Sequence, residues 1–117
     1  MQIPNQAVLL RIFVDENDKN NGRPLYEAIV QKAREMHLAG ATVLRGPLGY
    51  GHSSRLHTAK LLRLSEDLPL VIEIVDAPDA IAAFLPVLEE MVTEGLVTVE
   101  RAEVILYRSS ERSRAGR

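Results

Sequence analysis

Residues 46–60, GPLGYGHSSRLHTAK, put three glycines, two histidines, an arginine and a lysine between two runs that read as strands. His52 and His57 are the residue types for a metal, and His52 beside Ser53 the types for nucleophilic catalysis. Neither has the spacing its chemistry needs. Two histidines five apart with no thiol match no zinc motif. GYGHSSR is not the G-x-S-x-G elbow, and adjacency in sequence does not create a triad. No Gly-Lys-Ser/Thr follows to make a P-loop, and the third glycine of a dinucleotide fingerprint is missing. The stretch reads as a binding loop rather than an active site. Its glycines fit either plain loop flexibility or an anion cradle, and Arg55 and Lys60 either ligand contacts or solvated charges. Tyr50, Ser53 and Ser54 are candidates for covalent modification.

A loop of this kind needs a frame, and the flanking sequence supplies one. Ala7–Asp15, AVLLRIFVD, is a continuous apolar run expected of a central strand buried on both faces. ENDKNNGR follows as a polar loop, with Asp15, Glu16 and Asp18 read as a turn rather than a cation site. Pro24 opens a helix over 25–36, whose apolar positions Leu25, Ala28, Ile29, Ala33 and Met36 share one side. Gly40 is the expected C-cap, and His37 suits the negative end of the helix dipole in a structural role. ATVLRG, 41–46, reads as the second strand, LLRL as the return arm of the loop, and LPLVIEIVD, 68–76, as the third strand. Asp76, Pro78 and Asp79 mark a second helix with Ile81, Phe84, Leu85, Leu88 and Met91 on one stripe. Pro86 inside it predicts a kink or two helical pieces. After Gly95, LVTVERAEVILY is the fourth strand, 96–107.

The order β-α-β-β-α-β predicts an α+β, ferredoxin-like fold: a four-stranded antiparallel sheet with two helices on one face. A single domain over 1–117 is expected, with its core at about 7–107 and a flexible tail at 108–117. Two helices cover one sheet face, yet Val71 and Val75 alternate with Leu70, Ile72 and Ile74. The second face is therefore expected to be buried by other subunits.

Composition removes several classes. Aromatic residues make up 4% with no Trp, so there is no platform for stacking bases. Fourteen basic against sixteen acidic residues give a net charge of −2, which offers no field to attract polyanions. No nucleic acid partner is expected. The absence of cysteine excludes disulfides, thiolate metal sites and a cysteine nucleophile. MQIPNQ has no signal-peptide character and no apolar run approaches about 18 residues, so no membrane insertion is expected and the cytoplasm is the default location.

PLYEAIVQKAREMHLAGATVLRGPLGYG, LSEDLPLVIEIVD and EGLVTVERAEVILY together resemble the PII-like family of domain of unknown function 190. The resemblance spans roughly 7–107, with AGATVLRG and GYG its most specific part. It implies a homotrimer with three sheets facing inward, related to the PII signalling proteins and the CutA proteins. In PII proteins the connection between the second and third strands reaches out to a partner protein, and its base binds adenine nucleotides with a neighbouring subunit. By this resemblance the 46–64 loop contacts a regulated partner. The ligand is then an adenine nucleotide or another small anion, held by Arg45, Gly46, Gly49, Tyr50, Gly51, His52, Arg55 and Lys60. A GxG lets backbone N–H groups approach phosphate, and Arg or Lys neutralises its charge. The alternative is a CutA-like divalent metal protein, with His52 and His57 as candidate ligands, or an enzyme on the same trimer.

Overall fold

The computed structural model describes residues 5–46, 48–49, 57–58 and 68–108. Along the chain run β1 (Gln6–Asp15), β2 (Lys19–Asn20), β3 (Arg23–Pro24), α1 (Leu25–Glu35), β4 (Thr42–Arg45), β5 (Leu48–Gly49), β6 (His57–Thr58), β7 (Pro69–Asp76), α2 (Pro78–Met91) and β8 (Leu96–Glu103). The main sheet has the order β4-β7-β1-β8, each neighbour antiparallel. The two longest apolar runs thus become its central strands. Both helices pack on one face, and the fold is the ferredoxin-like α+β arrangement expected.

Strand periodicity decides which side chains meet the helices. Leu10, Ile12 and Val14 of β1 face the same way as Ile74, Ile72 and Leu70 of β7, their cross-strand partners. With Leu25, Ile29 and Ala33 of α1 and Ile81, Phe84 and Leu88 of α2, these side chains form the buried core. Each large member contributes roughly 1.5–3 kcal/mol by leaving water. The helices stop short of β8: Val97 and Val99, level with Ile12 and Leu10, remain 37% and 52% exposed.

α1 ends differently from the expected Gly40 cap. Met36 is the C-cap, and His37 takes the left-handed position at φ +65°. Leu38 N–H donates to Ala33 O and His37 N–H to Arg34 O, both at 3.0 Å, which is the Schellman pattern. His37 serves this turn structurally, against the steric preference of a side chain with a Cβ. His37→Gly should therefore raise stability by roughly 0.5–1 kcal/mol. Thermal melting checks this, and a lower melting temperature would mean that the imidazole supports the turn.

Pro86 does not split α2, which runs unbroken from Pro78 to Met91. Pro86 and Ala82, whose carbonyl loses its partner, both lie on the exposed side, where the carbonyl is open to solvent and the missing bond costs least. The polar stretch after β1 is not only a loop. Asn21 and Gly22, at φ +52° and +82°, form the tight turn of a small β2–β3 hairpin, for which Asn-Gly is the preferred sequence. β8 is shorter than predicted and ends at Glu103, opposite Gln6, with one further bond, Val104 N–H to Asn5 O at 2.7 Å, beyond it. Ile105, Leu106 and Tyr107 leave the sheet and are exposed. Gly95, at φ +154°, opens β8 where an added Cβ would lie 2.7 Å from the Phe13 carbonyl oxygen.

Candidate functional site

The chain leaves the sheet at Arg45 and Gly46 and returns at Leu68 and Pro69, and this mouth is closed by three bonds. Gly46 N–H donates to Pro69 O at 2.8 Å, and Glu16 N–H donates to Leu68 O at 2.9 Å. The Glu16 side chain then reaches across: Arg45 Nη2 donates to its Oε2 at 2.6 Å. Asp18 positions Glu16, accepting Asp15 N–H at its Oδ2 and donating its own N–H to Asp15 O, so the polar turn expected after β1 is formed. The Glu16 side chain is 16% exposed and Arg45 49%. An ion pair with one half-exposed partner is worth about 1 kcal/mol or less, so an incoming anion can compete for Arg45 at small cost. Glu16 Oε1 is buried with no hydrogen-bond partner among the described residues, leaving an acceptor at the loop base.

Of the residues singled out in the sequence, the structure brings Arg45 and Gly46 to this mouth. Gly49 stands opposite His57 in the two-residue β5–β6 ladder. Tyr50, Gly51, His52, Arg55 and Lys60, the His57 side chain, the modification candidates Ser53 and Ser54, and the expected mobility of the segment all lie outside the described residues. Among the described residues no cluster of His, Asp and Glu is arranged to hold a metal. Sequence reasoning missed Glu16 as the partner of Arg45. The available signal was an acid directly after the first strand, which only the pairing of strands brings to the end of the second.

The sheet face away from the helices is the other notable surface. Leu44, Val71, Phe13 and Leu96 are aligned by register into one apolar row across all four strands. Leu44 and Leu96 are 47% and 56% exposed. The next row is polar, Thr42, Glu73, Arg11 and Thr98, with Arg11 paired to both Glu73 and Glu100. The hydrogen bond to Glu73 does most to raise the Arg11 pKa above its ordinary value, and the Glu100 charge adds to it against desolvation. Beyond this row lie Val75 and Leu9. A face meant only for water carries no such rows. Between α1 and β4 on the helix side, an open depression of about 350 Å³ is lined by Arg23, Tyr26, Glu27 and Val43 and contains no residue predicted for a site.

Residues 7–104 match the DUF190 family, described as "Uncharacterized ACR". The chain belongs to this family. Among relatives of this DUF190 chain, a UPF0166 protein of Aquifex aeolicus is 40% identical over 97 residues, 83% of this chain and 91% of the relative. The UPF0166 protein MJ1524 of Methanocaldococcus jannaschii is 34% identical over 100 residues, 85% and 92% of the two chains. Among solved structures, the DUF190 chain is similar to CPII, a nitrogen regulatory PII-like protein from Thiomonas intermedia K12 bound to ADP, AMP and bicarbonate. The TM-score is 0.61 at 18% identity, over 85% of this chain and 88% of CPII. The B. subtilis GlnK–ATP complex gives a TM-score of 0.50 at 13% identity, over 86% and 84%. At these identities the likeness is one of fold, and the DUF190 chain has the PII-like form of the ferredoxin-like arrangement.

Proposed function

We propose that this DUF190 protein is a PII-like homotrimeric regulator of the cytoplasm. It binds a small anionic ligand at clefts between subunits and signals to a partner protein through the 46–64 loop. The observation that carries the reading is the mouth of that loop: a pinned exit from the sheet bearing Arg45, in a fold shared with proteins solved with ADP, AMP and bicarbonate or with ATP. The ligand class follows from the chemistry there. Arg45 offers a guanidinium fork for an anion, Gly46 opens the glycine-bearing segment beyond it, and Glu16 Oε1 offers an acceptor to a hydroxyl or amino group. An adenine nucleotide carries all the matching groups, and bicarbonate, a small planar anion with a hydroxyl, carries an anionic edge and a donor.

Thermal shift with ATP, ADP, AMP, bicarbonate and divalent cations is the direct test. A ligand at 100 times its Kd stabilises the native state by about 2.7 kcal/mol. Arg55→Ala combined with Lys60→Ala should weaken the responding anion and flatten its salt dependence, with melting temperature and assembly nearly unchanged. Equal affinity and equal salt dependence in the double variant would place the site elsewhere. A response to divalent cations alone would favour the CutA-like alternative.

A further inference from the structure

β4 forms one edge of the main sheet, and among the described residues no strand lies beyond it. The bond from Gly46 N–H to Pro69 O fixes which of its backbone groups face that edge. In an antiparallel pair, bonded and non-bonded positions alternate. Gly46 is a bonded position, so Leu44 and Thr42 turn their groups toward Val71 and Glu73, while Val43 and Arg45 turn theirs outward. The same alternation runs through β7, whose Leu70 and Ile72 face β1 in step with the Glu16–Leu68 bond. The N–H and C=O groups of Val43 and Arg45 thus line a free edge.

Such an edge is ordinarily blunted by proline, by lysine or by a cover. TVLR contains neither residue, and α1 stands beside it rather than over it. Between the two lies the depression of about 350 Å³, walled by Arg23, Tyr26, Glu27, Val30, Gln31 and Val43. β4 runs parallel to β1, and α1 returns between them in the opposite direction. Arg23 therefore stands at the Arg45 end of the depression and Gln31 at the Thr42 end. Arg23 and Glu27 are opposite charges four positions apart, yet neither makes an ion pair among the described residues. Outward backbone groups and unpaired charges share one groove.

We propose that the β4–α1 groove docks an extended segment of a partner protein, added as a further antiparallel strand on β4. The guest residue opposite Val43 exchanges both backbone bonds with it, and its side chain falls on the same face, into the depression. Lysine or arginine fits there: the aliphatic stem packs on Tyr26, Val30 and Val43, and the head meets the Glu27 carboxylate. Two residues earlier the guest side chain lies at the Arg45 end, where Arg23 calls for an acid. The segment reads acid-x-base, and a slipped register sets like charges together. RSSERSRAGR, 108–117, has no acid followed two positions on by a base, so the chain's own tail does not fit. The surface is separate from the 46–64 loop and stands whether or not that loop binds an anion.

Fluorescence anisotropy of labelled, end-capped peptides with the full chain tests it. TVEVKVT should bind about tenfold more tightly than TVEVEVT, and Glu27→Lys should reverse that order. Val43→Pro removes one outward N–H, a loss that an edge strand tolerates, and should weaken both peptides. Glu27 is exposed, so Glu27→Lys keeps the test readable if Val43→Pro fails to fold. A merely structural role for Glu27 would not reverse a preference between peptides. Equal binding of the two peptides to the parent would overturn the proposal, as would a preference that Glu27→Lys leaves unchanged or no binding at millimolar peptide. Binding that appears only as the protein is diluted would assign the edge to another copy of the chain and overturn it as well.

Discussion

Asp76→Ala is expected to destabilise the fold by about 3 kcal/mol and to lower its melting temperature by roughly 10 °C. Asp76 is the one buried charged residue among those described, 2% exposed at the end of β7. Its Oδ1 accepts Ala77 N–H at 2.6 Å and its Oδ2 accepts Ala39 N–H at 2.8 Å. One carboxylate thus ties the entry to α2 to the turn that connects α1 with β4. Each such charge-assisted bond contributes about 1.5–3 kcal/mol, and alanine leaves both amide donors with no acceptor. Asp76→Asn keeps one acceptor and turns an N–H₂ toward the other amide, so it should lose roughly half as much. Urea unfolding at fixed protomer concentration measures both. A loss below about 1 kcal/mol for the alanine variant would mean that water takes over the carboxylate's work at this turn.

Phe13→Glu should leave the chain folded and abolish the homotrimer proposed above. Phe13 sits on the open face between Val71 and Leu96, outside the core that the helices cover. A carboxylate there is solvated in an isolated chain but would be stripped of water in an inward-facing assembly, at a cost of several kcal/mol per copy. Light scattering should therefore report a mass falling from three copies of a 13.0 kDa chain to one, with an unchanged circular dichroism spectrum. The adjacent Ile12→Glu is the contrasting control: Ile12 is 0% exposed under the helices, so this change should unfold the monomer itself. A Phe13→Glu protein that remains trimeric would remove the open face from the interface, and with it the reason for expecting the trimer.

Much of the frame was legible because it rests on short-range patterns. The apolar run at 7–15, the helical spacing of Leu25, Ile29 and Ala33 and the alternation at 70–75 each specify an element and its buried side without reference to distant residues. The uncovered second sheet face was legible for the same reason. What failed depended on backbone angle or on register. Gly40 looked like the helix stop, but His37 occupies the left-handed turn because the Schellman bonds close three residues earlier. Asn21-Gly22 carried a hairpin signal that the surrounding polar residues obscured. Asp76 read as a helix-start marker, and its second bond, to Ala39, is invisible until α1 and β7 are placed together. The site was legible as a location and not as a set of contacts. Arg11 is the one charge inside the apolar run 7–14 and Glu73 the one charge inside 69–75, yet that they face one another follows only from the pairing of β1 with β7. The Arg45–Glu16 pair is hidden in the same way, since β1 and β4 are separated by β7 in the sheet.

That separation also dictates when the protein can fold as it emerges from a ribosome. β1 and β4 lie in the first half of the chain and do not touch; β7 stands between them. Until Asp76 has been synthesised, neither strand has a neighbour to receive its backbone hydrogen bonds, and β1 gains its second neighbour only when Glu103 has followed. At about 5–20 residues per second, the sixty-one positions from Glu16 to Asp76 keep the apolar first strand waiting for roughly 3–12 seconds. A nascent chain halted before β7 would present Leu9, Leu10, Ile12 and Phe13 with no sheet to enter, which makes such a fragment a substrate for chaperones and proteases rather than a folding intermediate.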